Sequence, residues 1–218
     1  MLKFLSGMAF GGLMMSGAAM AADVVPVPAF DWTGVYFGAQ VGVDMLHPKH
    51  APLPFNSSIQ PEATGASGGL SVQVLKQSGQ FVFGGVADFN LSTANASAPC
   101  RNVVWTCADG SNWNGSIRAK LGVAPGKFMI YGTGGWGWAD FHGSTLSPAN
   151  VSFPDSKVLN GWVAGGGISM AINPKWTANI EYLHYDLGSG STTTMAYDSK
   201  YVVNPNMDTV TFGLSYKF

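Results

Sequence analysis

Stretches of ten or so residues in which apolar side chains alternate with small or polar ones, joined by connections that are short and long in turn, predict an all-β fold. The expected form is an eight-stranded antiparallel transmembrane β-barrel with short periplasmic turns and long outer loops. Composition agrees. Charged residues make up 11% of the 218-residue chain, about half the share usual in soluble domains. Gly numbers 29 and aromatics reach 12%. A mean hydropathy of +0.15 is too low for a bundle of membrane helices.

The first 21 residues predict an export signal. Lys3 supplies the positive start, Phe4 to Met15 the apolar stretch, and Ala19-Met20-Ala21 the small-residue cleavage site. Residues 22–31 form an expected periplasmic linker carrying Pro26 and Pro28, and residues 32–218 an outer-membrane β-barrel. Export into a second, outer bilayer places the protein in the cell outer membrane of a Gram-negative bacterium. A formal net charge of −1 gives no sign of nucleic-acid binding.

Alternation then defines the strands, because side chains point to opposite faces along a β-strand. Strand one runs from Thr33, with Val35, Phe37, Ala39, Val41 and Val43 toward lipid and Tyr36, Gln40 and Asp44 toward the lumen. Strand two, Ser67–Lys76, turns Leu70, Val72 and Val74 out and Ser71 and Gln73 in. Strand three, Gln80–Leu91, turns Phe81, Phe83, Ala87 and Phe89 out and Asp88 and Asn90 in. Strand four, Trp113–Ala124, places Ile117, Ala119, Leu121 and Val123 out and Asn114, Ser116, Arg118 and Lys120 in. Strand five, Phe128–Ala139, has Gly and aromatics on both sets, so its facing stays open. Strand six, Val158–Ile172, turns Trp162, Ala164, Ile168, Met170 and Ile172 out. Strand seven, Trp176–Leu187, turns Ile180 and Tyr182 out and Asn179 and Glu181 in. Strand eight, Thr209–Phe218, carries Val210, Phe212, Leu214, Tyr216 and Phe218 outward. Long loops are expected near 45–66, 92–112, 140–157 and 188–208.

An eight-stranded barrel leaves an interior that side chains fill. Asp88, Arg118, Lys120 and Glu181 are therefore expected to form a polar network in the lumen with Gln40, Gln73 and Asn179. A salt-bridged plug is favoured over a gated path. Cys100 and Cys107 in an exported chain favour a disulfide over metal binding by two lone thiols, with a loop-closure gain of about 2–3 kcal/mol. Other patterns carry little. The glycines of Gly132-Thr133-Gly134-Gly135-Trp136-Gly137 lie inside a strand with no helix after them, against a dinucleotide site. His47 and His50 beside Asp44 could suggest a metal, but loop histidines around a Pro are better read as solvated. His184, Asp186 and Ser189 could suggest a hydrolytic site, but facing alternates along the strand and nothing supplies an oxyanion hole. No catalytic residue, no metal and no cofactor is expected. Trp105 between the two cysteines is a candidate anchor for a ligand at the outer loops, or equally a side chain that packs over the barrel mouth.

Several segments carry a family resemblance: Trp32-Thr33-Gly34-Val35-Tyr36-Phe37-Gly38, Arg118-Ala119-Lys120-Leu121-Gly122, Tyr131-Gly132-Thr133-Gly134-Gly135, Gly161-Trp162, Glu181-Tyr182-Leu183, Asp186-Leu187-Gly188 and Gly213-Leu214-Ser215-Tyr216-Lys217-Phe218. Across nearly the whole barrel the chain resembles the outer-membrane immunogenic proteins of alphaproteobacteria, which are porin-family, OmpA-like barrels of eight strands. The ending Tyr216-Lys217-Phe218 resembles the assembly signal read by the outer-membrane insertion machinery. Val86, Ser169 and Thr211 stand where the family usually has charged residues, so the lumen here should hold fewer ion pairs. The resemblance implies envelope integrity and surface interactions without catalysis. Its partners would be outer-membrane lipid and lipopolysaccharide, the insertion machinery, and host or phage ligands at the outer loops. The alternatives are a small-solute porin and a haemin-binding surface protein.

Overall fold

The computed structural model describes residues 30–50, 62–99, 106–147, 149, 151–188, 190–194 and 199–218. Nine strands are present among them: β1 (Gly34–His50), β2 (Ala63–Ser78), β3 (Phe81–Pro99), β4 (Thr106–Val123), β5 (Phe128–Leu146), β6 (Ser152–Ala171), β7 (Trp176–Asp186), β8 (Gly190–Thr194) and β9 (Ser199–Lys217). Each barrel strand pairs antiparallel with its neighbours, β7 pairs with β9, and β9 pairs with β1 to close an eight-stranded barrel. The short β8 pairs only with the outer end of β9. Closure leaves no barrel strand with unpaired backbone groups in lipid, where each would be costly.

The register fixes the size. Stepping through partners from Tyr36 passes Gln73, Val86, Arg118, Gly135, Val163, Tyr185 and Met207 and returns to β1 at Leu46, ten residues further along. A stagger of that size over eight strands tilts them by about 40° and leaves a lumen that side chains fill.

The facing follows the alternation. Val41, Leu70, Phe81, Leu91, Ile117, Leu121, Ile130, Ile168, Ile180 and Phe212 are exposed on the outer wall. Tyr36, Gln40, Asp44, Asp88, Arg118, Lys120 and Glu181 are buried in the lumen. β5 resolves the open case: Met129, Tyr131, Thr133, Ala139 and Phe141 point inward, and Phe128, Ile130 and Trp136 outward. Aromatics mark both ends of the lipid band. Trp176, Tyr216 and Phe218 pack edge to face beside the periplasmic turns. Toward the outer end Trp136 lies across from Trp162, and Phe89 stacks on Trp113.

The outer connections are long, as expected, and strand structure extends into them. β1 continues to His50 along β9, while β3 to Pro99 pairs with β4 and β5 to Leu146 pairs with β6 from Ser152, so two of the outer connections rise as antiparallel arms above the barrel. Lipid no longer imposes alternation there, while the backbone ladder still satisfies the N–H and C=O groups. Bulges between Leu91 and Ala94 and between Gly110 and Asn114 mark the transition on β3 and β4. The periplasmic turns are short. Gly79 and Gly126 adopt φ of +61° and +80° in two of them. In the third, Asn173 Oδ1 accepts from the amides of Lys175 and Trp176.

Candidate functional site

The lumen is built in three layers. At the periplasmic end Trp32, Tyr36, Leu75, Val82, Ala124, Met129, Tyr131 and Ala171 form a buried apolar cluster, with Phe30 packed against it. The Tyr36 hydroxyl donates to the Trp32 carbonyl at 2.9 Å, and the Trp32 amide donates to Gln77 Oε1 at 2.8 Å, so the chain entering the barrel folds across its mouth. The Lys217 ammonium donates to the Asp31 carbonyl and lies over the Phe30 ring. The Asp31 carboxylate accepts from the Thr33 amide at 2.8 Å, which holds this carboxyl below its ordinary value of 3.8.

The middle layer is polar. Arg118 Nη2 reaches Asp88 Oδ2 at 2.7 Å and Glu181 Oε2 at 3.1 Å, and its Nε donates to Ser116 Oγ at 2.8 Å. Ser116 in turn donates to Asp88 at 2.6 Å. Asn90 bonds Asp88, Asn114 and Gln40. Asn114 and Ser67 both donate to Asp44, at 2.9 and 3.0 Å. Lys120 is placed differently. Its ammonium donates to Gln73 Oε1 at 2.8 Å and sits 3.8 Å above the Tyr131 ring. Strands β1, β2, β3, β4 and β7 thus meet across the barrel axis. Low dielectric makes the bonds that tie Arg118 to Asp88 and Glu181 costly to break.

At the outer end a second apolar cluster joins Leu46, Ala63, Ala139, Phe141, Leu159, Val163, Leu183, Tyr185, Leu187 and Met207, with Ala96 against it. These residues come from every barrel strand except β4.

Several groups lie elsewhere than the sequence suggests. Asn179 is half-buried and fills the space over Gly213 rather than joining the hydrogen bonds of the network. Asp44 turns into the lumen while His47 faces the outer wall, so the two do not share a site. His47 Nε2 instead lies 3.4 Å from Asp208, which also accepts from the Tyr182 hydroxyl at 2.6 Å and meets His184 Nδ1 at 2.7 Å. His184 therefore engages a carboxylate on β9 rather than Asp186. Ser67 and Asp208 are participants that sequence reasoning left unassigned, and Asp44 was placed toward the lumen but not in the network. For Asp44 and Ser67 the signal was available, as polar residues at inward or strand-start positions. Cys100, Trp105 and Ser189 fall outside the described residues, and Cys107 lies in β4.

A closed antiparallel sheet of this stagger, apolar toward lipid and polar within, agrees with what known proteins share with the chain. The outer membrane protein beta-barrel domain family matches residues 10–218. The chain belongs to that family. It is 32% identical to the 31 kDa outer-membrane immunogenic protein of Brucella melitensis, over 94% of this chain and 95% of that protein. It is 27% identical to the 22 kDa outer membrane protein of Rhizobium leguminosarum bv. viciae, over 78% and 75% of the two chains. The outer membrane protein OprG of Pseudomonas aeruginosa shares the fold, with a TM-score of 0.50 at 13% identity over 85% of this chain and 96% of that one. The protein is an outer-membrane β-barrel located in the cell outer membrane, and the β-barrel family it belongs to fixes the fold in which the lumen and hairpins must be understood.

Proposed function

We propose that this barrel is a closed, non-conducting scaffold that contributes to envelope integrity, carries out no catalysis, and presents its outer hairpins as a contact surface for host or phage ligands. The carrying observation is the filled lumen: a hydrogen-bonded polar layer bounded by an apolar cluster at each end. A solute path would need continuous water, and Trp32, Met129, Leu46, Phe141 and Leu159 occupy the two mouths. In this reading residues 1–21 direct export, and Cys100 with Cys107 staples the hairpin between β3 and β4.

The C-terminal strand serves assembly. Phe218 donates its amide to the Val35 carbonyl at 3.0 Å, and its ring meets Phe37 and Tyr216 at the β1–β9 seam. The residues proposed as the insertion signal, Tyr216 and Phe218, thus stand at the periplasmic end of the seam that closes the barrel.

The test is conductance of the refolded protein in a planar lipid bilayer. Insertion is verified independently by heat-modifiable migration of the same sample. A silent bilayer is expected. Discrete, reproducible current steps would overturn the closed-scaffold reading and put a small-solute porin in its place.

A further inference from the structure

The periplasmic rim carries a pattern that the lumen does not explain. Lys76 stands at the end of β2, Lys127 in the turn between β4 and β5, and Lys175 in the turn between β6 and β7. All three are exposed, and no ion pair engages them among the described residues. The turns themselves, residues 77–80, 124–127 and 172–175, contain no Asp or Glu. At that end the described acidic side chain is Asp31, drawn into the bonds with Thr33. Glu62, Asp109, Asp140, Asp186 and Asp208 all lie toward the opposite end, Asp140 buried there.

We propose that these lysines form a ring that binds the phosphate headgroups of anionic phospholipid in the periplasmic leaflet. Three features select lipid over a soluble partner. The ammonium groups recur at every second strand around the circumference, so a continuous annulus can meet all of them while one flat partner would meet one side. They sit where lipid-facing Phe81, Phe128 and Trp176 begin their strands, at the boundary of the apolar band. Lys175 extends along the wall, its ammonium 5.6 Å from the centre of the Tyr216 ring, in the manner of a side chain that keeps its stem on apolar surface and its charge at the headgroups.

The test uses the full barrel in phosphatidylcholine bilayers and compares spin-labelled phosphatidylglycerol with spin-labelled phosphatidylcholine as annular lipid. The native protein is expected to select the anionic label by roughly twofold to fivefold at low salt. That preference should collapse toward one at about 0.5 M salt, where screening is strong. The K76Q/K127Q/K175Q variant should show little preference and K76R/K127R/K175R should keep it, each shown to be folded by heat-modifiable migration. Equal preference in the native and triple-Gln proteins at low salt would overturn the proposal. So would a loss of binding to isolated peptidoglycan sacculi in the triple-Gln variant with lipid preference unchanged, which would assign the ring to the cell wall. If a variant fails to fold, absence of any anionic preference in the native protein at low salt overturns the proposal by itself.

Discussion

Arg118 and Lys120 stand two residues apart on the inward side of β4, and their surroundings differ in a way that stability can read. Arg118 spans two carboxylates, Asp88 and Glu181, with a planar fork that also donates to Ser116. Removing it leaves two buried negative charges without a cation, so Arg118→Met should cost about 3–5 kcal/mol, read as the urea midpoint of the refolded barrel in lipid vesicles. Arg118→Lys should recover only part, because one ammonium cannot reproduce the fork. Lys120 has a neutral amide and a ring face for partners. Its desolvation is offset less, so Lys120→Met should be neutral or stabilising, within about 1 kcal/mol. An equal loss in both Met variants would show that Glu181 depends on Lys120 as well. Parity along a strand makes the inward facing of these residues legible in the sequence. Which of them bond is not legible, because Glu181 reaches Arg118 across the lumen from β7, and only the stagger of the closed sheet brings them level. The same limit hides Asp208, whose partners His47 and His184 come from β1 and β7.

At the scale of the element, β5 shows why alternation by itself could not assign one strand. Its glycines occupy both faces for different reasons. A Cβ on Gly134, which faces lipid, would meet nothing nearer than the Val163 carbonyl oxygen at 3.7 Å. A Cβ on Gly135, which faces the lumen, would run into the Ile117 carbonyl and come within 2.7 Å of Arg118 Cα. The inward glycine lets β5 seat against β4 beneath the network, the close-approach role expected of a strand glycine. Gly135→Ala should therefore cost about 1–3 kcal/mol by overpacking, while Gly134→Ala should stay close to the native midpoint. Matching effects at the two positions would mean that the β4–β5 spacing is not set by Gly135. Facing on the other barrel strands was legible because lipid imposes an apolar set on one side. The outer extensions, and β8 with them, were not legible, because above the lipid band the ladder is held by backbone hydrogen bonds that leave no period in the side chains.

For the whole molecule, the distribution of lysines turns topology into an observable. Lys49 lies in β1 near its outer end, Lys157 in the outer part of β6 and Lys200 at the start of β9. Lys76, Lys127 and Lys175 lie at the periplasmic turns, and Lys120 lies in the lumen between the two apolar clusters. An even number of strands puts both barrel ends on one side, so these three groups belong to three compartments. An amine-reactive reagent too large to cross the outer membrane should modify Lys157, exposed on the outer part of β6, on intact cells. After permeabilisation it should also reach Lys76, Lys127 and Lys175. Lys120 should remain unmodified in both cases and react only after unfolding, with all sites read by peptide mass mapping. Modification of the turn lysines on intact cells would reverse the barrel in the membrane. Modification of Lys120 in the folded protein would mean that water and solute reach the network past Trp32 or Phe141. The labelling pattern and the current through a bilayer then have to agree, because both report whether the same two apolar clusters shut the lumen.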